Sequence, residues 1–174
     1  MKLIIAGSRS IESYDITLAV FDFMLAMIPS FSGSGGGDIE RLAKHFITEV
    51  VSGKARGVDT LGEEWAYKTG ISVKPFPAPW KDKSSPTYDP RRGYDPEAGK
   101  IRNQQMADYA DGLLAIWDGK STGTMDMVRR VQQRKLKMSL FTVDYPTCCV
   151  RHKLIGKLDG LCAGEPYREE TYVD

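Results

Sequence analysis

Short apolar runs along the chain alternate with segments in which apolar residues recur every three or four positions. Short apolar runs bounded by turn residues predict buried strands, and the three-four recurrence predicts helices with one apolar face. The predicted strands cover residues 3–6, 47–51, 71–76, 113–117 and 138–143. The predicted helices begin near residue 16 and span about 60–69, 101–110 and 124–135. This alternation predicts an α/β, doubly wound, mostly parallel five-stranded sheet with helices on both faces.

Residues 1–145 are predicted to form one domain with two long loops. The glycine- and serine-rich stretch 30–38 has no side chain to anchor it and is predicted to be a flexible surface loop. Several prolines predict an extended loop over 77–97, and so long a loop is usually a lid or a partner surface. Residues 146–174 have weak periodicity and form a C-terminal extension of unassigned structure.

Composition excludes several classes of function. With 24 basic and 23 acidic residues the net charge is +1, which disfavours nucleic acid as a partner, since such binding uses a surplus of Lys and Arg. The apolar stretch 16–28 contains Asp22 and is too short to span a membrane, and the first strand runs directly into Gly-Ser-Arg rather than a signal-peptide core. We therefore expect a cytoplasmic protein without membrane association.

The cysteines lie only in the C-terminal extension. Their odd number does not suit a disulfide framework, and with His152 they have irregular spacing for zinc, so free thiols are favoured over a metal site: Cys148, Cys149 and Cys162. No metal and no cofactor is predicted.

Candidate chemistry collects in loops that follow the strands, at 7–10, 52–57, 77–80 and 118–124. The carboxyl ends of parallel strands share one edge of the sheet, where ligands of open α/β sheets bind. Glycines, backbone N–H groups at a helix start and hydroxyls together favour an anion such as phosphate. The first choice for that phosphate is the 118–124 loop, with hydroxyls from Ser121, Thr122 and Thr124.

Arginines near these loops suit phosphate or carboxylate oxygens, which a guanidinium binds in bidentate fashion. The candidates are Arg9, Arg56 and Arg102. A simpler alternative remains open, in which the glycine-rich loops are tight turns and Arg56 only pairs with Asp59. Asp59 is also predicted to cap the helix over 60–69, and Gly70 to end it. Trp80 either stacks on a base or covers the core.

Four segments resemble the YpsA-related branch of the SLOG superfamily, which is named for the DNA-processing protein Smf/DprA and the cytokinin-activating LOG enzymes. They are GSRS, VVSGKARGVDTLGEEWA, AGKIRNQQMADYAD and LLAIWDGKSTGTMDMV, within residues 1–145. The resemblance implies a Rossmann-like domain that binds nucleotides or their derivatives. By motif it assigns ligand contacts to Gly7, Ser8 and Arg9, to Gly53, Arg56, Gly57 and Asp59, to Arg102 and Asn103, and to Gly119, Gly123 and Thr124.

The sequence departs from this pattern at two positions. LOG phosphoribohydrolases carry PGGxGTxxE, whose glutamate acts in N-glycosidic cleavage, and Met127 stands where that glutamate would fall. Asp126 is adjacent but should point about 100° away around a helix. Lys54 replaces the glycine that is more usual in the second loop.

Two functions follow. The favoured one is binding or sensing of a phosphorylated nucleotide or derivative, either ADP-ribose-like or a nucleoside monophosphate. The alternative is an enzyme that hydrolyses or transfers at a nucleotide N-glycosidic bond, with Asp59, Glu63 or Asp118 as the working carboxylate. DNA binding of the DprA kind is disfavoured by the net charge. The oligomeric state stays open, with a homo-oligomer as one alternative.

Overall fold

The computed structural model describes residues 1–15, 19–20, 23–24, 39–144 and 149–155, and only the backbone at 39, 40, 144 and 149–155. Its strands are β1 (Lys2–Gly7), β2 (Glu49–Ser52), β3 (Ser72–Pro75), β4 (Gly112–Trp117), β5 (Lys137–Asp144) and β6 (Cys149–Ile155). Its helices with described ends are α1 (Ile39–Phe46), α2 (Val58–Thr69), α3 (Ala98–Tyr109) and α4 (Thr122–Gln133).

The sheet has the order β3-β2-β1-β4-β5-β6. Strands β1 to β5 are parallel, and β6 pairs with β5 in the antiparallel sense, from Met138 opposite Ile155 to Asp144 opposite Cys149. The chain builds outward from β1 to β3 and then returns to place β4 on the other side of β1. The predicted α/β Rossmann-like fold is confirmed, and the C-terminal extension adds a sixth strand to it.

Alternate residues of the central strands enter two cores, one on each face of the sheet, because successive side chains of a strand point to opposite faces. One core contains Leu3, Ile5, Leu114 and Ile116 against Val58 and Trp65 of α2. The other contains Ile4, Ala6, Leu113 and Ala115 against Met106 of α3 and Met127 and Val128 of α4. Because both faces of the sheet are covered, a ligand can approach β1 and β4 at the polar loops that follow them.

The observed elements differ from the prediction in a few places. Helix α1 was not predicted, and the first predicted helix is described only at four helical, buried residues: Ala19, Val20, Phe23 and Met24. The predicted loop 30–38 lies outside the described residues. The prediction that Asp59 caps α2 is wrong, because Gly57 is the N-cap and makes no side-chain bond, while Asp59 lies inside the first turn. Gly70 ends α2 as predicted, with φ of +68°.

The proline-rich segment 77–97 contains no helix and no strand apart from one isolated bridge between Asp89 and Tyr94. The fully buried carboxylate of Asp95 organises it. That carboxylate accepts hydrogen bonds from Ser85 Oγ (2.5 Å), Thr87 Oγ1 (2.9 Å) and the Glu97 N–H (2.8 Å). The loop is thereby fastened to the start of α3.

Trp80, in the proline-rich segment, packs against the start of α3. A Cβ built on Gly99 would be 3.1 Å from Trp80 Cη2, so the indole packs on this helix, with 39% of its surface exposed. Of the two roles that the sequence left open for Trp80, this contact favours covering. Within the described part of the chain, no helix combines the length and the apolar character needed to cross a membrane.

Candidate functional site

A cavity of about 590 Å³ opens at the carboxyl ends of β1 and β4, where the strand order reverses. Such a switch point is where open α/β sheets bind ligands. The polar lining residues are Gly7, Arg9, Ser10, Asp59, Arg102, Asn103, Asp118, Lys120, Ser121, Thr122, Gly123 and Thr124. The apolar lining residues are Ala6, Ala55, Met106 and Met127.

The N-terminus of α4 forms one side of the cavity. Ser121 is its N-cap, and Ser121 Oγ accepts hydrogen bonds from Thr124 Oγ1 (3.0 Å) and from the Thr124 N–H (3.4 Å). Trp117 Nε1 donates to the Ser121 carbonyl at 3.0 Å. The N–H groups of Thr122 and Gly123 precede the first intrahelical hydrogen bonds, so helix geometry leaves them available to a ligand. A Cβ on Gly123 would meet no atom within 4 Å, so the space above this turn is open.

Asp118 fixes the loop that leads into α4. Its carboxylate accepts hydrogen bonds from Ser10 Oγ (2.7 Å) and from the N–H groups of Ser121 (2.8 Å) and Lys120 (3.0 Å). Partial burial raises the pKa of Asp118, but these hydrogen bonds outweigh it and hold the pKa well below its usual range. Asp118 is therefore ionised at neutral pH, and its hydrogen bonds connect the loop that follows β1 to the loop that follows β4.

Asp59 is the buried acid of the cavity wall, with 5% of its side chain exposed. Asp59 Oδ2 accepts hydrogen bonds from the N–H groups of Gly53 (3.1 Å) and Ala55 (3.3 Å) and lies 4.0 Å from Arg102 Nη1. Burial raises the pKa of Asp59 to about 6, although the Arg102 charge and the N–H donors oppose that rise. A carboxyl group with this pKa changes its charge close to neutral pH.

Arg102 is nearly buried beside Asp59, and its Nη1 donates to the Gly53 carbonyl. A Cβ on Gly53 would lie 1.8 Å from Arg102 Nη1, so only glycine leaves room for this contact. Arg102 Nε is buried and has no hydrogen-bond partner among the described residues. Because buried donors are nearly always satisfied, this group is a candidate contact for a ligand or water.

Asn103 connects α3 to the start of α4. Its Nδ2 donates to the Gly123 carbonyl (3.2 Å) and to Asp126 Oδ2 (2.8 Å), and Asp126 Oδ2 also accepts from Arg130 Nε (2.9 Å). Asp126 thus faces α3, while Met127, 2% exposed, lines the cavity. Asp126 and Met127 therefore point in different directions from α4, as expected for neighbouring residues of a helix.

Six of the residues that the sequence proposed for the site do not line the cavity: Ser8, Gly53, Arg56, Gly57, Glu63 and Gly119. Ser8 is buried, and its Oγ accepts a hydrogen bond from the Asp118 N–H at 3.0 Å. Arg56 is exposed and forms no ion pair with Asp59. Gly119 has a φ of +76°, which favours glycine in that turn.

The second strand-end loop, residues 52–57, packs tightly against its surroundings. A Cβ on Gly57 would be 2.5 Å from the Ser8 carbonyl oxygen, so this glycine lets two loops meet. Glu63 accepts from Ser52 Oγ and forms an ion pair with Lys54 Nζ at 2.5 Å. Lys54 itself has a φ of +58°, a left-handed conformation that glycine adopts more easily than lysine.

Several lining residues were not singled out from the sequence. Ser10, Ala55 and Lys120 lie within the predicted strand-end loops. Treating every residue of those loops as a candidate would have included them. Ala6 and Met106 are apolar, and nothing in an apolar side chain distinguishes a cavity floor from a core.

No protein-family model and no curated protein matches the chain. Among the described residues, no three His, Cys, Asp or Glu side chains come together as a metal site would require. The cysteine and histidine side chains of the C-terminal extension lie outside the described residues.

Proposed function

We propose that this protein binds or senses a phosphorylated nucleotide or nucleotide derivative, ADP-ribose-like or a nucleoside monophosphate, in the cavity between β1 and α4. The proposal agrees with the resemblance to the YpsA-related branch of the SLOG superfamily. The observation that carries it is the open first turn of α4, which faces a cavity at the switch point of the sheet. Helix N-termini attract anions through free N–H groups and the helix dipole.

The charges of the lining residues support an anionic ligand. Arg9 and Lys120 are exposed and have no side-chain partner among the described residues, and Arg102 keeps a buried donor free. Of the two acids in the lining, Asp118 is occupied by the hydrogen bonds of its own loop. Three cations around one open helix start suit a phosphate group, because charge-assisted hydrogen bonds are the strongest kind.

The other part of the cavity suits a flat, less polar group. Ala6, Met106 and Met127 provide an apolar surface next to the phosphate position. Methionine adapts its shape to a bound ring, and small-molecule sites typically combine such apolar walls with a few placed polar groups in volumes of roughly 300–1,000 Å³. The observed volume of about 590 Å³ lies within that range.

The test is a thermal-shift and calorimetric titration with AMP and ADP-ribose, because a ligand that binds only the folded state raises the melting temperature. Arg9→Ala and Lys120→Ala should each weaken binding about tenfold, since a hydrogen bond to a charged group contributes roughly 1.5–3 kcal/mol. Arg91→Ala, an exposed arginine outside the cavity, is the control. If neither nucleotide produces heat or a shift, the proposal is wrong.

A second function rests on Asp59. A buried carboxyl group in a cavity wall, with a pKa of about 6, can carry charge or a proton at neutral pH, as cleavage of an N-glycosidic bond requires. The test is chromatographic detection of free base released from nucleoside monophosphates by the natural protein and by Asp59→Asn. Release by the natural protein that the variant loses supports catalysis, and no release by the natural protein rejects it.

A further inference from the structure

Asp59 and Arg102 share the wall of the cavity, and each depends on the other for charge balance. Arg102 Nη1 lies 4.0 Å from Asp59 Oδ2 and is held there by the Gly53 carbonyl. The absence of a side chain on Gly53 lets the guanidinium take this position. An anion that approaches Arg102 from the cavity therefore competes with Asp59 for the same positive charge.

The other acids near Asp59 have their own partners. Asp118 accepts several hydrogen bonds from its loop, Glu63 forms an ion pair with Lys54, and Asp126 is bound by Arg130 and Asn103. The remaining charged groups of the cavity lining are the cations Arg9, from the loop after β1, and Lys120, from the loop before α4. No histidine is among the lining residues. Asp59 is thus the acid of this lining whose neighbouring cation, Arg102, an anionic ligand would also contact.

We propose that the carboxylate of Asp59 takes up a proton when an anionic ligand binds in this cavity, so that binding becomes tighter as the pH falls. The inference rests on the proposed function, because it needs a phosphate-bearing ligand at this site. The negative ligand offsets the attraction of Arg102 for the carboxylate, and it displaces water from a side chain that is already 5% exposed. Both changes favour the neutral carboxyl group.

The pH range of the effect follows from linkage. In the free protein the pKa of Asp59 is about 6, and the bound ligand raises it further. Below pH 6 the group is largely protonated in both states, so affinity is constant. Between the two pKa values the free protein must gain a proton to bind, and the affinity falls with rising pH by at most about tenfold per unit.

The experiment is isothermal titration calorimetry with ADP-ribose at pH 6, 7 and 8, since its diphosphate keeps a constant charge over this range. We expect Kd to rise severalfold or more from pH 6 to pH 8. The natural protein is also titrated at pH 7 in two buffers of different ionisation enthalpy, and different heats then measure proton uptake without any variant. Asp59→Asn should bind with a Kd that does not depend on pH, whereas Glu64→Gln, an exposed carboxylate on the same helix, should keep the natural profile.

The outcomes separate this inference from the proposed function. Binding with equal Kd at all three pH values and equal heats in both buffers overturns proton uptake and leaves nucleotide binding intact. A pH dependence that persists in Asp59→Asn assigns the proton to another group and also overturns the inference. Absence of binding at every pH, for AMP as well as for ADP-ribose, rejects both proposals.

Discussion

At the scale of single residues, the glycines of the strand-end loops divide into two kinds. Gly53 and Gly57 are required by the protein itself, because a Cβ at either position would overlap Arg102 or the backbone of the first loop. Gly123 has no such neighbour, and the space above it is open. Both kinds looked alike in the sequence as candidate ligand contacts, because the difference depends on what packs against each Cα.

Replacement of Gly53 and Gly123 by alanine should therefore have different effects on stability, although both should weaken nucleotide binding. Gly53→Ala displaces Arg102 and should lower both the melting temperature and the affinity for nucleotide. Gly123→Ala adds a methyl group to the first turn of α4, where alanine is the better helix former by roughly 0.5–1 kcal/mol, so the free protein should be as stable or more so. Its affinity should fall nonetheless, if the ligand approaches this turn closely.

Thermal unfolding of each free variant and a nucleotide titration measure the two effects. Unchanged affinity in Gly123→Ala would move the phosphate away from the first turn of α4. An unaffected melting temperature in Gly53→Ala would contradict the contact between Gly53 and Arg102.

Met127 decides whether chemistry of the LOG kind is available. It lines the cavity at the position where the resemblance to the LOG enzymes would place a glutamate, but a thioether can neither transfer a proton nor balance positive charge on a sugar. Positioned acid–base groups typically contribute about 10²–10⁴-fold, so we expect little or no release of base from nucleoside monophosphates by the natural protein. Met127→Glu is the change best placed to create activity.

Met127→Gln is the matched control, since it has the same shape without the carboxylate. Chromatography of free base compares the three proteins. Fast release by the natural protein would contradict the expectation and would direct attention to Asp59.

At the scale of elements, strongly patterned segments were predictable and short or weakly patterned ones were not. The buried runs of β1 and β4 fix the centre of the sheet, and the loops after them contain most of the cavity lining. Helix α1 has the three-four apolar spacing of a helix at residues 39, 42, 43 and 46, but it is only eight residues long and follows a glycine-rich stretch, and the prediction passed over it. Strand β6 lies in an extension where apolar and basic residues mix, so the sequence pattern did not indicate that it pairs with β5, the strand directly before it.

The role of Asp59 was only partly predictable for a related reason. Its place at the start of α2 suggested a cap, and caps are common for aspartate. Its actual partners come from the second loop and from α3, and Arg102 follows Asp59 by more than forty residues along the chain. Such partners become visible only once the sheet has brought the loops together.

The proline-rich loop gives a prediction about its buried acid. The hydroxyl of Ser85 and further donors lower the pKa of Asp95, so the ionised carboxylate is favoured in the folded state. Asp95→Asn should therefore lower the melting temperature at pH 7. A lowered pKa stabilises the fold above the unfolded value and loses that effect as the pH falls, so the difference between the two proteins should shrink below about pH 4.

Melting curves from pH 7 to pH 3 provide the measurement. Asp82→Asn, in the same loop but exposed, with a carboxylate that accepts hydrogen bonds from Ser84, should change the melting temperature less. A constant difference between natural protein and Asp95→Asn at every pH would mean that shape, and not charge, makes Asp95 important.

At the scale of the whole molecule, β6 gives the sheet its outer edge beyond β5. Without β6, the buried strand β5 would present unpaired N–H and C=O groups, which promote edge-to-edge association. A chain that ends at Asp144 should therefore melt several degrees lower and self-associate as its concentration rises, because each lost hydrogen bond is worth about 0.5–1.5 kcal/mol.

A chain that ends at Ile155 keeps the strand and serves as the control. Thermal melting and sedimentation of the two shortened proteins separate the contribution of β6 from that of the residues after it. Equal behaviour of both would show that β5 tolerates an open edge.

The bond between Trp117 and the start of α4 has an optical consequence. The indole N–H donates to the carbonyl of Ser121, the N-cap of the helix that faces the cavity. Indole fluorescence responds to changes in local hydrogen bonding and polarity, so ligand arrival at α4 should alter the emission of Trp117. Trp117 does not itself line the cavity and would respond through this hydrogen bond, whereas Trp65 in the core and Trp80, which packs against α3, should contribute a constant background. The emission of Trp117 can therefore be used to follow ligand binding, and a variant with both Trp65→Phe and Trp80→Phe would isolate that emission.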